Sequence, residues 1–223
     1  MNNTYKNLIE QTFDFPQEGF EVIDNELYFH DICLTDIIKQ YGTPLKLTYL
    51  PKIGSQINKA IRWFNVAMAK CNYKGKYTYC YCTKSSHFSF VLDEVLKHDT
   101  HIETSSAYDI EIVNELNRSG ALSKDRYILC NGYKRPLYLE NIVDLRNEGF
   151  NVLPILDNMK EMEYYKENMN QTCNIGIRIA SEEEPSFEFY TSRLGIRYKD
   201  IKNFYMDEIK DDERFNLKML HFF

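Results

Sequence analysis

The chain has 223 residues, 43% hydrophobic and 27% charged, which suits one α/β domain with a sizeable core. A net charge of −6 argues against a nucleic-acid binder, since phosphate contacts need basic clusters. No apolar run of about 18 residues is long enough to span a membrane, and MNNTYKNLIEQTFDF has neither a signal core nor an Arg-rich presequence. The expectation is a cytoplasmic protein that meets small molecules, with no nucleic-acid or membrane partner.

The first forty residues read as a preface. Phe20–Ile23 and Leu27–Phe29 are expected as short strands around Asp24-Asn25-Glu26, a turn-like triplet. Leu34–Tyr41 is expected as a helix ending near Gly42, and Thr43-Pro44 leads into a strand at Leu45–Tyr49. Ser55 can cap a helix whose apolar positions Ile57, Ala60, Ile61, Phe64, Ala67 and Met68 keep helical spacing.

The pattern then becomes periodic. Strand-like runs begin near Tyr77, Thr100, Arg126, Asn151, Cys173 and Leu217, the first five at intervals of 23, 26, 25 and 22 residues. A helix fills each of those intervals. Val91, Leu92, Val95 and Leu96 make the first stripe, and Ile110, Val113 and Leu116 the second, opened by a Ser106-x-x-Asp109 capping box. The third starts at Pro136, a favourable first helical residue, and buries Leu139, Ile142 and Val143. Asn158 caps the fourth, with Met159, Met162 and Tyr165. A longer interval holds the acidic loop Ser181–Pro185, most simply a solvated loop, and a helix with Ile201, Phe204, Tyr205 and Ile209.

Strands alternating with helices at this spacing predict βαβ units and a parallel sheet. A barrel is favoured over an open doubly wound sheet by strands with one small or polar face, such as Gly176, Arg178 and Ala180 opposite Ile175, Ile177 and Ile179. The expected fold is α/β: a parallel (β/α)₈ TIM-type barrel, incomplete at about six strands, preceded by a short strand-and-helix segment. The last run, LKMLHFF, ends without a following helix, and eight units need about 250 residues. A chain truncated before closure is therefore expected, with residues 1–43 as a separate segment and 44–223 as the barrel.

Chemistry is expected at the strand ends, where such barrels carry it. In YCTKSSH, Lys84 follows a run in which Thr78, Cys80 and Cys82 share its face while Tyr77, Tyr79 and Tyr81 take the other. An amine there can form an imine with a carbonyl cofactor. Glu103 and Arg178 are predicted to point inward by the same parity, giving a Lys, a carboxylate and an Arg at one mouth. Such a set suits an anionic, carbonyl-bearing cofactor or, more simply, an internal ion-pair cluster. The six cysteines form no CxxC pair and no His lies at zinc-ligand spacing, so free thiols and no metal are expected.

YGTPLKLTYL, YCTKSSH, HIETSSAYDIEIV, ILCNGYK, NIGIRIA, SRLGI and LHFF occur in an order that resembles the pyridoxal-phosphate-dependent decarboxylases of basic amino acids, of the alanine-racemase-like barrel class. ILCNGYKRPLYL with LPILDNMKEME resembles biosynthetic arginine decarboxylases most. The resemblance runs from about Gly42 to Phe223 and implies pyridoxal 5'-phosphate as cofactor, with Mg as a further possibility. It also implies an amino acid substrate, a homodimer or larger assembly, and residues 1–43 as a contribution to a second, β-rich domain.

Motif by motif, the Schiff-base lysine of the resembled family matches Lys84. The acidic residue near it matches Glu103, a second acidic position matches Asp109, and the strand arginine matches Arg178. Ser192-Arg193-Leu194-Gly195 resembles a Ser-basic-Gly segment, so Ser192 joins His87, Asp109 and His221 as possible pocket residues. One departure stands out: the family pattern Leu-His-Phe-His, whose second His stacks on the cofactor ring, reads Leu220-His221-Phe222-Phe223. Phe223 takes the stacking position, and by strand parity His221 is expected to face away from the cofactor, as buried structure. The glycine-rich phosphate loop and the carboxylate for the pyridine nitrogen are expected beyond Phe223. The function implied is decarboxylation of a basic amino acid, arginine to agmatine first, with diaminopimelate, ornithine or carboxynorspermidine as other substrates. The competing readings are an inactive fragment, a non-catalytic cofactor binder, and a different barrel enzyme without this cofactor.

Overall fold

A computed structural model describes residues 19–180 and 194–222. The chain divides into two compact units between Tyr49 and Leu50.

In the first unit β1 (Phe20–Ile23) and β2 (Glu26–Phe29) form an antiparallel hairpin. Its turn residues Asp24 and Asn25 have φ of 48° and 66°, the left-handed pair a two-residue hairpin demands and Asp and Asn tolerate. A two-residue β3 (Ile32–Cys33) adds to β2 and runs into α1 (Leu34–Tyr41). Gly42, at φ 78°, ends that helix and returns its N–H to the Ile38 carbonyl. The strand expected at Leu45–Tyr49 does not form: residues 43–49 have no regular structure, because among the described residues no strand pairs with them.

The second unit opens with α2 (Leu50–Lys70), well before the start that a Ser55 cap would set. Ser55 lies inside the helix, and its hydroxyl donates to the Lys52 carbonyl at 2.9 Å. Then follow β4 (Tyr79–Cys82), α3 (Ser89–Leu96), β5 (Thr100–Thr104), α4 (Ala107–Arg118), β6 (Tyr127–Cys130), α5 (Pro136–Asn147), β7 (Asn151–Leu156), α6 (Lys160–Asn168), β8 (Cys173–Ala180), β9 (Ile196–Arg197), α7 (Tyr198–Phe204) and β10 (Phe215–His221). The long strands pair in the order β4-β5-β6-β7-β8-β10, every neighbour parallel, and β9 pairs with the end of β8. This is a (β/α) barrel built to six strands, open between β4 and β10 among the described residues.

Side-chain alternation sorts the core. Outward residues Ile102, Ile128, Val152, Ile175 and Ile177 join Leu92, Val113, Ile142 and Tyr165 of the helices in the main cluster. Tyr79 and Tyr81 pack outward on Ile57, Val91 and Val95. The inner face is separate: Leu129, Leu153 and Ile155, with Cys80, Tyr127 and Met219 against them. The small inner and bulky outer faces expected for β4 are both present. Gly176 faces inward, where an added Cβ would lie 3.3 Å from Ile155, Leu153 and Met219; the barrel interior leaves no room for a side chain there.

All six cysteines are free. Burial pushes the thiol of Cys130 up to about 11 and that of Cys173 up to about 12, whereas Cys71 is exposed. Since the thiolate is the nucleophile, iodoacetamide at mildly alkaline pH should label Cys71 in the native protein and spare Cys130 and Cys173 until denaturant is added. Peptide mass spectrometry reads this, and equal labelling of the three in the native state would contradict the burial.

Candidate active site at the strand ends

In sequence each of the six long strands ends on, or runs directly into, a polar or charged residue, and all these ends are on one side because the strands are parallel. The ladders extend to the mouth. Thr83 donates its N–H and hydroxyl to the Glu103 carbonyl at 3.0 and 3.1 Å, and Asn131 N–H donates to the Thr104 carbonyl at 2.9 Å. Glu103 and Asn131 are thereby fixed in register.

Glu103 points inward as its parity requires. Asn131 Nδ2 donates to Glu103 Oε1 at 3.0 Å and lies 3.5 Å from His221 Nε2. This corrects the parity expectation for His221: a register shift between Leu217 and Met219 turns the end of β10 over, so that Leu217 packs outward while Met219 and the His221 ring face inward, the ring beside Glu103. Burial pushes the His221 imidazole below its ordinary 6.5, against the opposing pull of Glu103.

Arg178 is also inward. Its Nη1 meets Asp157 Oδ1 at 3.3 Å, with both side chains largely buried. Asp157 stands just past β7, and its N–H donates to Glu161 Oε2 at 3.2 Å. Glu161 in turn accepts from Lys134 Nζ at 2.9 Å. That ammonium has no solvent exposure and donates also to the carbonyls of Gly132 and Ile155 at 2.9 and 2.6 Å. All three of its protons have acceptors, and the β6 and β7 lips are tied together. Burial pushes the Glu161 carboxyl up, and Lys134 pulls it back. Asn158 and Glu161 cap α6 reciprocally, at 3.3 and 3.0 Å.

Lys84 is not at the end of a buried strand. It sits in the turn after Cys82 and is exposed, and β4 itself is only half-buried, because β4 is an edge strand with β5 as its one neighbour among the described residues. No described residue bonds to its ammonium. Asp109 does not complete a capping box with Ser106; its carboxylate reaches one residue further back, accepting from Ser105 N–H at 2.8 Å and Ser105 Oγ at 3.3 Å. His87 is exposed, its ring 6.2 Å from that of Phe88. Ser192, Arg193, Phe223 and the acidic run from Ser181 to Pro185 lie outside the described residues.

The structure thus joins Glu103 to His221 through Asn131, and Arg178 to Asp157, while Lys84 stands apart on the same rim. Sequence reasoning missed Asn131, Lys134, Asp157 and Glu161 as site residues. Their signal was position: each sits at, or one turn after, the end of a predicted strand, where parallel sheets gather chemistry. No cluster of three metal-ligating side chains occurs among the described residues, and no helix there is long and apolar enough to cross a membrane.

This parallel (β/α) barrel fold is shared with solved arginine and diaminopimelate decarboxylases. The chain superposes on the biosynthetic arginine decarboxylase of Campylobacter jejuni with a TM-score of 0.65 at 19% identity, covering 92% of this chain and 35% of that one. With the diaminopimelate decarboxylase of M. jannaschii the TM-score is 0.71 at 18% identity, covering 92% and 48%. In sequence it is similar to the biosynthetic arginine decarboxylases of Vibrio vulnificus, 23% identical over 231 residues, and Phocaeicola vulgatus, 23% over 218. It spans about a third of the length of these curated relatives, 36% and 33%. No family model matches the chain.

Removing one partner of a buried ion pair leaves the other charge unpaired, at a cost of about 3–5 kcal/mol. Lys134→Met should lose that much stability in urea unfolding, and Lys134→Met with Glu161→Leu should regain the part due to the unpaired carboxylate, the carbonyls of Gly132 and Ile155 remaining without their donor. A single variant as stable as the parent would contradict the pairing.

Proposed function

We propose that this chain is the cofactor-binding barrel of a pyridoxal-phosphate-dependent decarboxylase of basic amino acids, with Lys84 as the residue that captures the cofactor carbonyl. The observation that carries the reading is the rim itself: an uncommitted amine on the same strand-end side as a carboxylate–amide–imidazole cluster, on a fold shared with two decarboxylases. An internal ion-pair cluster would have engaged that amine, and among the described residues nothing does. The donor set fits the group. Lys84 offers the nucleophile, and Glu103, Asn131 and His221 offer hydrogen bonds along one wall. Arg178, held by Asp157, adds a fixed positive charge. When bound, pyridoxal phosphate supplies an electron sink for the electrons left as CO₂ departs.

Arginine, yielding agmatine, is the substrate we favour, because the curated relatives are named for it. Residues 1–43 are read as a contribution to a second, β-rich domain, and the working protein as a cytoplasmic homodimer. A second reading, a cofactor binder without decarboxylation, is favoured by Phe223, where the resembled family has its stacking His.

Borohydride reduction with pyridoxal phosphate, then peptide mapping, should label Lys84, and Lys84→Ala should abolish the label. Label on another lysine refutes the assignment. CO₂ release from arginine, ornithine or diaminopimelate separates the two readings: capture without release leaves the binder.

A further inference from the structure

The Asn131 amide cannot be turned over. Gly132 N–H, which can only donate, meets Asn131 Oδ1 at 2.8 Å, and Glu103 Oε1, an acceptor, meets Nδ2 at 3.0 Å. Flipping the amide would set donor against donor at one end and acceptor against acceptor at the other. The second Nδ2 proton is left to face His221 Nε2 at 3.5 Å. A nitrogen that accepts carries no proton, so the ring proton must be on Nδ1.

We propose that Asn131 is the positioning residue of this rim, holding the Glu103 carboxylate with one amide proton and fixing His221 as the neutral Nδ1–H tautomer with the other. The support for Asn131 is itself rigid. Gly132, whose N–H sets the amide, has its carbonyl held by the buried Lys134 ammonium at 2.9 Å. Gly132 adopts φ 81°, a conformation that favours glycine. Among the described residues, the charges acting on His221 are Glu103 on β5, Lys134 after β6, Asp157 after β7 and Arg178 on β8, two of each sign. The Asn131 amide nitrogen can only donate, so its contact with Nε2 is made by the Nδ1–H tautomer and not by the Nε2–H one.

The consequence is chemical. A histidine beside a carboxylate would ordinarily be drawn toward the charged form. With a donor aimed at Nε2, the rim keeps an accepting nitrogen and a neutral ring. Proton traffic at this wall then belongs to Glu103 or to the uncommitted Lys84 amine rather than to His221 Nε2. The tautomer rests on hydrogen bonds alone, whereas its bearing on decarboxylation rests on the function proposed above.

Nitrogen-15 NMR of histidine-labelled protein without cofactor tests it, with the His221 signal assigned by His221→Gln. The expected result is an unprotonated Nε2 and a protonated Nδ1 near neutral pH. In Asn131→Ala the preference should be lost and the titration midpoint of His221 should move up. In the nearly isosteric Asn131→Asp, a second carboxylate at the same place should move it further up and put the proton on Nε2. A protonated Nε2 in the parent, or an unchanged tautomer and midpoint in either folded variant, overturns the proposal. Failure of cofactor capture by Lys84 would overturn the function and leave this result standing.

Discussion

A lysine ammonium with no access to water holds this rim in shape. Lys134 reaches the Gly132 carbonyl, the Ile155 carbonyl and the Glu161 carboxylate at once, and so couples the ends of two neighbouring strands to the first turn of α6. Such a group is expensive to desolvate, and it is tolerated because none of its protons lacks an acceptor. What depends on it is directional. Gly132 sets the Asn131 amide, Asn131 sets Glu103 and His221, and Glu161 receives the Asp157 N–H that fixes the partner of Arg178.

The second constraint is the two-residue period of the strands in an all-parallel sheet. It sends Ile102, Ile128, Ile175 and Ile177 outward to the helices and leaves Leu129, Leu153, Ile155 and Gly176 for the interior. The same alternation carries Glu103 and Arg178 to the inside at the strand ends, and a bulge between Leu217 and Met219 brings His221 in beside them. The core and the candidate site are therefore two outcomes of one rule, the first along the strands and the second at their tips.

Most of the barrel was legible in the sequence because its signals are local. The apolar stripe Val91, Leu92, Val95, Leu96 and the alternation in NIGIRIA require no knowledge of distant neighbours. Leu45–Tyr49 misled because β propensity does not supply a pairing partner. Ser55 misled because capping competes with Pro51, whose fixed backbone favours the first turn of a helix. The inward parity of Glu103 and Arg178 could be read, but the network could not. Lys134 meets Glu161 across 27 residues, and nothing local in KRPLYL points to LDNMKEME. His221 misled because a bulge between Leu217 and Met219 turns the end of β10 over, and strand parity alone does not reveal a bulge.

The central claim, that this rim takes pyridoxal phosphate on Lys84, is tested most directly by a crystal structure of the protein grown with the cofactor. The account predicts density continuous with Lys84 Nζ, lying on the wall formed by Glu103, Asn131 and His221. Cofactor bound through another lysine, or a rim left empty at saturating cofactor, would contradict it.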